Sequence, residues 1–269
     1  MGSTVSFMKI SRIFVTHLHG DHFLGLPGLI QSMNFAGRED PLDIYGPEGT
    51  ASVIDTILNL GYFQAGFPVS GHDVEDYEIV QGKGYSVKAV RTDHTIPSFG
   101  FVLIEDVRPG KFNRERAMEL GVPEGPLFSK LQSGYSVTVK GVTIAPDMVM
   151  GDSRPGLKVA FSGDTRPSEH FMESILGCDL LVHEATADVS LHEKAKEFGH
   201  STARDAATIA SLAGVKALFL NHFSGRYDDI GLLVDEARDI FPNTHASEDL
   251  MVLQVTHDGI VSSKKLQDV

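Results

Sequence analysis

Cysteine is nearly absent from this chain, and apolar runs long enough to span a membrane are missing altogether. The one cysteine, Cys178, rules out an intrachain disulfide framework. Its neighbours Leu176, Leu180 and Leu181 are apolar, which favours burial of the thiol over catalysis. Residues 1–4 lack a secretory hydrophobic segment, so the sequence predicts a cytoplasmic protein that makes no membrane contact.

Basic side chains are also scarce. Lys and Arg total 23 against 36 Asp and Glu, which gives a net charge of −13 and argues against nucleic-acid binding over the whole surface. Residues 107–141 differ from the rest, because six cations there face only three glutamates. The cations are Arg108, Lys111, Arg114, Arg116, Lys130 and Lys140. With 269 residues, 42% of them hydrophobic, we expect one domain over residues 1–269 with at most an insertion.

What the chain does have is a dense group of metal-binding residue types. His17, His19, Asp21 and His22 lie within six residues, and His is the commonest biological ligand for zinc. The preceding run Ile13-Phe14-Val15 predicts a short buried strand that ends where the group begins. Gly20 lets the chain reverse, so one loop can supply two metal ions. An amphipathic stretch follows, with a buried face predicted from Leu24, Leu26, Leu29, Ile30 and Met33.

Four further apolar runs end in polar side chains of the same kind. The residues at these ends are His94, Asp164, the pair His183-Glu184 and the pair Asn221-His222. Taken singly, each has an ordinary alternative, since Asp164 can form a turn and His222 can cap a helix. Because strand ends at one edge of a sheet build the sites of α/β proteins, five such ends predict one pocket. A carboxylate at the position of Asp164 can bridge two ions.

Together these residues resemble the metallo-β-lactamase superfamily. Three further segments are similar to the ribonuclease Z family of tRNA 3′-processing endonucleases: His183-Glu184-Ala185-Thr186, Gly199-His200-Ser201-Thr202, and Gly125-Pro126-Leu127-Phe128. The resemblance covers about Phe7 to about Val255 and implies an α/β fold, the αββα sandwich. Family members carry several strands before the first histidine segment, whereas this sequence begins almost at it. We therefore expect a sandwich that is truncated at its N-terminus.

The resemblance also assigns roles at the site. It implies two zinc ions per chain, one held by His17, His19, His94 and Asp164, the other by Asp21, His22, Asp164 and His222. It further implies that Asp21 is the general base and that His200, oriented by Glu184, gives a proton to the leaving oxygen. The alternative for this last segment is that Ser201 or Thr202 simply caps the following helix, and both statements can hold together.

Residues 107–134 read as an inserted, flexible arm. Pro109-Gly110, Gly121, Pro123 and Gly134 flank two short helical runs, and we expect the arm to be too small to have a core of its own. Lys111, Arg114 and Arg116 are candidates to hold RNA phosphates, and the resemblance implies that the arm, with Gly125 and Pro126, is an exosite for tRNA. The alternative is an ordinary solvated surface loop.

The function that the resemblance implies is removal of the 3′ trailer from precursor tRNA by a zinc-dependent endonuclease. The products would be a 3′-hydroxyl on the tRNA and a 5′-phosphate on the trailer, and the family resemblance also implies a homodimer. Two alternatives remain at this point. One is a hydrolase of small phosphodiesters or thioesters that uses the same site, and the other is an inactive metal-binding scaffold.

Overall fold

The computed structural model describes residues 6–257 and 259–261. The expectations about residues 1–4, and about strands preceding the first histidine segment, concern chain outside the described residues. The chain forms two compact units, one of Met1–Ile104 with Leu157–Val269 and one of Glu105–Gly156. No helix in the described ranges has both the length and the apolar character needed to cross a bilayer.

The described strands and helices follow one another as an α/β chain. The strands are β1 (Arg12–Phe14), β2 (Leu42–Gly46), β3 (Val69–Asp73), β4 (Ile79–Gln81), β5 (Tyr85–Arg91), β6 (Phe99–Glu105), β7 (Val137–Val139), β8 (Val142–Ile144), β9 (Lys158–Phe161), β10 (Leu180–Glu184), β11 (Leu218–Asn221), β12 (Thr244–Ala246), β13 (Gln254–Thr256) and β14 (Gly259–Val261). The helices are α1 (Gly20–Phe23), α2 (Leu26–Phe35), α3 (Thr50–Leu58), α4 (Arg114–Glu119), α5 (Pro126–Gln132), α6 (Glu169–Ser174), α7 (His192–Glu197), α8 (Ala203–Ala213) and α9 (Gly231–Arg238).

Two main sheets build the larger unit, which also holds the two-stranded sheet β13-β14. The smaller main sheet has the order β1-β2-β3 and the larger has the order β12-β11-β10-β9-β6-β5-β4. Strands β9, β10, β11 and β12 run parallel, so their carboxyl ends meet at one edge of the sheet. The first histidine segment joins this edge, because the Phe99 N–H donates to the Thr16 carbonyl at 2.9 Å and His17 bridges to Ser98.

The sheets pack face to face, with helices outside them. Phe14 of the small sheet lies 5.2 Å, centroid to centroid, from Phe101 of the large one. On the outer side of the small sheet, Ile30 of α2 and Ile54 of α3 share a buried cluster with Ile44 of β2. Helix α8 packs a face of six buried side chains against the large sheet's core: Ala203, Ala206, Ala207, Ile209, Ala210 and Ala213. The predicted αββα architecture is confirmed.

The predicted burial of one residue of the apolar face, Leu24, is wrong. Leu24 is 65% exposed, whereas Leu26, Ile30 and Met33 are buried and Leu29 is partly buried. The helical stretch breaks between α1 and α2, so Leu24 is not in phase with the buried face of α2. An uninterrupted helical period read through Gly25 therefore placed the side chain on the wrong side.

The Glu105–Gly156 unit has its own core, so the expectation of an arm too small for one is wrong. Helices α4 and α5 and the hairpin β7–β8 enclose a buried cluster of Ala117, Val122, Leu131, Val137, Ile144 and Val149. Half of this cluster comes from residues beyond 134, where the predicted arm ended. The apolar side chains of the hairpin cover the two helices, which could not have buried their own faces alone.

Candidate active site

The structure brings the seven predicted ligands to one edge of the larger unit. They are His17, His19, Asp21, His22, His94, Asp164 and His222, and subsets of three have donor atoms within 4.8 Å of one another. A single oxygen lies at the centre. Asp164 Oδ2 is 3.8 Å from His17 Nε2, 3.4 Å from His22 Nε2 and 3.3 Å from His222 Nε2. Their role as metal ligands remains a prediction.

His17 gives the clearest test of whether a metal ion fits. Its Nε2 is buried and has no hydrogen-bond partner among the described residues, while Nδ1 lies 3.1 Å from the Thr16 hydroxyl. Burial, followed by the neighbouring His22, lowers the pKa of His17 to about 3 even though Asp164 opposes the shift. A neutral imidazole with a buried, unused lone pair is costly unless a cation accepts it. The nitrogen and oxygen donors here suit zinc and related divalent ions.

His94 is held by a hydrogen bond on the side of its ring away from the other ligands. Its Nδ1 donates to the Gly199 carbonyl at 2.7 Å, which leaves the Nε2 lone pair facing His19 Nδ1 at 3.2 Å. Burial lowers the pKa of His94, although the bond to Gly199 opposes the shift. Gly199 has φ +81°, and an added Cβ would lie 2.7 Å from His94 Nδ1. The position therefore needs glycine for both conformation and space.

Asp164 carries the negative charge of the site. It is 4% exposed, and burial alone would raise its pKa. The hydrogen bond from His22 and the charges of His222, His22 and His17 outweigh burial and hold the pKa at about 2. The preceding Gly163 has φ +62°, and a Cβ there would approach Thr16 to 2.8 Å. This glycine lets the end of β9 come close to the first histidine segment.

His200, whose side chain is 18% exposed, and the buried Glu184 form a pair beside this centre. His200 Nδ1 lies 2.9 Å from Glu184 Oε1, and the carboxylate also accepts the N–H groups of Thr165 at 3.0 Å and Thr186 at 3.2 Å. Burial lowers the pKa of His200, but the hydrogen bond and charge of Glu184 more than compensate, so the net shift is upward. With Nδ1 occupied by Glu184, Nε2 is the nitrogen left to donate. The catalytic role of the pair remains a prediction.

The capping alternative for this segment is also realised. Thr202 caps α8 by accepting the Asp205 N–H at 3.1 Å, and Asp205 accepts the Thr202 N–H in return. Ser201 instead donates to the Thr165 carbonyl at 2.7 Å. The cap therefore fixes the backbone next to His200, so capping and proton donation do not compete.

Thr186 is a contributor that sequence reasoning did not identify. Its hydroxyl donates to Glu184 Oε2 at 2.8 Å and lies 3.0 Å from His222 Nδ1, which must then be the donor. This arrangement leaves His222 Nε2 facing Asp164 Oδ2 at 3.3 Å. His222 itself has φ +56°, a left-handed conformation that is uncommon outside glycine. No sequence signal links residues 186 and 222, although Thr186 stands in a recognised motif.

Arg166 and Asp93 were also missed. Arg166 Nη1 donates to Asp93 Oδ1 at 2.9 Å, and Arg166 Nε donates to the Lys196 carbonyl at 2.6 Å. One guanidinium thus ties the loop that carries His94 to the end of α7. These partners lie 73 and 30 residues away in the sequence. A salt bridge over such distances leaves no local pattern that could predict it.

Asp21 differs from the other ligands in its exposure. Its side chain is 71% exposed and its Oδ2 lies 3.5 Å from His22 Nε2. Asp21, His22 and His222 nevertheless form one of the groups whose donor atoms converge. A carboxylate that is open to solvent on one side is suitably placed to receive a proton from water.

The predicted RNA contacts lie within the Glu105–Gly156 unit. Arg114 donates to Glu124, and Arg116 donates to Glu119 at 3.0 Å, so both guanidinium groups are paired within the unit. Lys111 has no ion pair among the described residues. Gly125, at φ +124°, precedes α5, and Pro126 occupies its first turn. Contact between these residues and RNA remains a prediction.

Comparisons with known proteins identify the family of this chain. The metallo-β-lactamase superfamily model matches residues 8–211. Ribonuclease Z of Methanosarcina acetivorans is 46% identical over 258 residues, which cover 96% of this chain and 85% of that protein. Ribonuclease Z of Methanosarcina mazei is 47% identical over the same shares of both chains.

A solved structure points the same way. The crystal structure of human tRNase Z, short form, superimposes with a TM-score of 0.65 and 28% sequence identity, and the match covers 94% of this chain and 82% of that one. The superfamily model spans well over half of the chain, and the relatives exceed 40% identity over nearly all of it. The chain therefore belongs to the ribonuclease Z family of metal-dependent endoribonucleases, within the metallo-β-lactamase superfamily.

Proposed function

We propose that this chain cuts precursor tRNA after the discriminator nucleotide, leaving a 3′-hydroxyl on the tRNA and a 5′-phosphate on the trailer. The observation that carries the proposal is the arrangement around Asp164 Oδ2. Three imidazoles from two segments face this oxygen, and the His200–Glu184 pair lies at its side, with His200 Nδ1 at 4.0 Å. Relatives named ribonuclease Z over 96% of the chain support the choice of substrate.

The metal centre that we propose holds two zinc ions. His17, His19, His94 and Asp164 would hold one, and Asp21, His22, Asp164 and His222 the other. Two of the converging donor groups, His17-His19-His94 and Asp21-His22-His222, support this division. Two divalent ions, when bound, neutralise the attacked phosphate and lower the pKa of water toward neutrality. Imidazole-rich donors favour zinc over harder ions such as Mg²⁺ or Ca²⁺.

The chain's own residues then handle the protons. Asp21 takes a proton from the attacking water, whose oxygen adds to phosphorus while the bond from phosphorus to the 3′-oxygen breaks. His200 gives the proton on Nε2 to the departing 3′-oxygen, and Glu184 stabilises the charged imidazolium beforehand. The upward shift in the pKa of His200 keeps this acid protonated at a pH closer to neutrality.

We also propose a cytoplasmic homodimer. The single cysteine and the precursor-tRNA substrate suit the reducing cytoplasm. Phe35 is 87% exposed at the end of α2, where the Asn34 side chain accepts the Gly66 N–H. Leu60 and Tyr62, in the chain that leads to Gly66, are 58% and 107% exposed. Exposed apolar patches mark association surfaces, and sedimentation of wild type against Phe35→Ser measures the effect.

The test is incubation of the metal-loaded protein with a precursor tRNA that carries a 3′ trailer, followed by mapping of both product ends. His200→Ala should slow this cleavage by about 10²- to 10⁴-fold, the usual contribution of a general acid. The same variant should spare a small chromogenic phosphodiester, whose leaving group needs no proton. His170→Ala, at a histidine 40% exposed and paired with Asp76 instead, is the matched control and should leave both rates unchanged.

Each other result excludes the proposal in a distinct way. Turnover of the small diester with intact precursor tRNA would favour a small-substrate hydrolase. Cleavage of tRNA at another phosphate would remove the assignment of the cut. Absence of both activities in protein that holds its metal ions would favour an inactive scaffold.

A further inference from the structure

We propose that Phe198 and the depression around it bind one unpaired nucleotide of the RNA substrate. The base would stack on the Phe198 ring, while Lys194 and Lys196 neutralise the adjoining phosphates. The nucleotide is the one on the 5′ side of the cut, whose 3′-oxygen leaves. This inference rests on the proposed function and adds a subsite that lies outside the metal ligands and the proton donor.

The ring itself is the first observation. Phe198 is 54% exposed, although it lies between α7 and the buried Gly199. It lines an open depression of about 780 Å³ whose other walls are Arg166, Glu193, Lys194, Lys196 and Glu197. A large aromatic ring that is left in water beside cations is the arrangement that binds single-stranded nucleic acid, because every base has a face that can stack.

The backbone under the ring is rigid. Phe198 and Gly199 close the end of α7 through bonds to the Lys194 and Lys196 carbonyls, both at 3.2 Å. Arg166 donates to the Lys196 and Glu197 carbonyls and to Asp93, and Gly199 accepts from His94. The ring therefore rests on a segment held from three sides. A platform that is already ordered loses little conformational freedom when a base binds to it.

The charges of the depression also suit RNA. Three cationic and two anionic side chains give it a formal charge of +1, in a chain whose net charge is −13. Arg166 is occupied by Asp93, but no ion pair to Lys194 or Lys196 is found among residues 6–257 and 259–261. Both ammonium groups are exposed and available for phosphates.

The distance along the chain places Phe198 near the cut. Phe198 and His200 are separated only by Gly199, so their Cα atoms are at most about 7 Å apart. His200 is the residue that we assign to protonate the leaving 3′-oxygen. That oxygen belongs to the last nucleotide kept on the tRNA, and we therefore assign the ring to the base of this nucleotide.

A direct binding test exploits the absence of tryptophan from this chain. Phe198→Trp introduces a single fluorophore at the proposed platform. The protein measured is metal-loaded and also carries His200→Ala, so that it binds RNA without cutting it. The emission of the introduced Trp should be quenched when this protein binds an acceptor-stem hairpin with an unpaired 3′ extension. Leu212→Trp is the matched control, because Leu212 is 66% exposed at the other end of α8, about 15 Å from its start. Quenching at both positions, or at neither, would overturn the proposal.

A double-mutant cycle between residue 198 and the RNA tests which base is involved. Phe198→Leu keeps the apolar surface but cannot stack, and should raise KM for precursor tRNA by roughly 5- to 100-fold. Phe198→Tyr should stay within about twofold of wild type, and the small chromogenic diester should be unaffected by either change. Removing the base 5′ of the cut from the RNA should cost wild type the same factor and cost Phe198→Leu little. If the two losses multiply instead, the ring and that base do not touch.

The outcome is separable from that of the proposed function. If wild-type protein cuts precursor tRNA at the mapped site but Phe198→Leu behaves like wild type, only this inference fails. If wild type leaves precursor tRNA uncut, the proposed function fails first. A loss that follows the base on the trailer side would also overturn the assignment of the nucleotide. Replacing both lysines, Lys194→Gln with Lys196→Gln, should reduce the slope of the logarithmic salt dependence of binding by about 1.4. An unchanged slope would show that these lysines do not contact phosphates.

Discussion

Two regions of the molecule hold opposite charges in contact, but they do so in different surroundings. At the edge of the large sheet, Glu184 is 1% exposed and meets His200 at 2.9 Å while three further donors hold its oxygens. In the Glu105–Gly156 unit, the side chains of Arg114 and Glu124 are 64% and 51% exposed. The buried pair is fixed by its surroundings. The exposed pair can exchange partners at small cost, so its cation stays available to a ligand.

The largest effect is expected from a substitution at Asp164. Asp164→Asn keeps the shape but removes the charge that faces three imidazoles, so metal should be lost and cleavage should fall by about 10³-fold or more. Elemental analysis and single-turnover cleavage measure the two effects. Asp43→Asn is the control, since Asp43 pairs with His72 at 2.9 Å outside the site. Full metal content together with wild-type cleavage in Asp164→Asn would contradict the central role of this carboxylate.

The buried pair predicts a pH effect of intermediate size. Glu184→Gln removes what raises the pKa of His200, so that pKa should fall. Because the acid acts when protonated, cleavage is lost as pH rises through this pKa, and the alkaline limb should move to lower pH. The rate at neutral pH should drop by about 10²-fold. Asp76→Asn, which disrupts a comparable histidine pair with His170 at 2.8 Å, should leave the profile in place. An alkaline limb that moves upward or stays fixed in Glu184→Gln would exclude His200 as the acid.

A smaller effect is expected at Thr186. Thr186→Val removes the hydroxyl between His222 and Glu184 at nearly constant volume, so His222 should lose its fixed tautomer. Metal affinity, measured by competition with a chelator, should weaken by about 10- to 100-fold. Thr186→Ser restores the hydroxyl and should restore the affinity. Equal affinities in the valine and serine variants would show that the hydroxyl does not position the ligand.

The smallest effect is expected at the exposed pair. Glu124→Gln removes the carboxylate that competes for Arg114, so RNA binding should tighten a few-fold with little change in the slope of its logarithmic salt dependence. Arg114→Gln should flatten that slope by about one unit. Filter binding over a series of salt concentrations measures both slopes. If Arg114→Gln leaves the slope unchanged, Arg114 does not contact phosphate.

The sequence predicted the parts of the site that have local causes. Apolar runs that end at His17, His94, Asp164 and His222 indicated where strands stop, and parallel strands bring such ends together. The resemblance to the metallo-β-lactamase superfamily implied the αββα sandwich. Ribonuclease Z motifs then added the roles that spacing alone does not assign.

What the sequence did not predict depends on partners far along the chain. The bond between Thr186 and His222 spans 36 residues, and the one between Arg166 and Asp93 spans 73. The core of the Glu105–Gly156 unit needs a hairpin that lies beyond the predicted arm. The break at Gly25, which exposes Leu24, requires knowledge of how α1 meets α2. Polar bonds between distant loops follow no period, so only coordinates reveal them.

Because position 199 requires glycine, the neighbouring Phe198 is the better position for redesign. Any side chain at position 199 would collide with an imidazole and would strain a left-handed turn, so this position offers no freedom. Residue 198 has neither constraint, because its side chain is 54% exposed to solvent. An engineer seeking altered preference for the terminal base of an RNA should therefore vary 198 alone, and can expect the chemistry two residues away to survive the exchange.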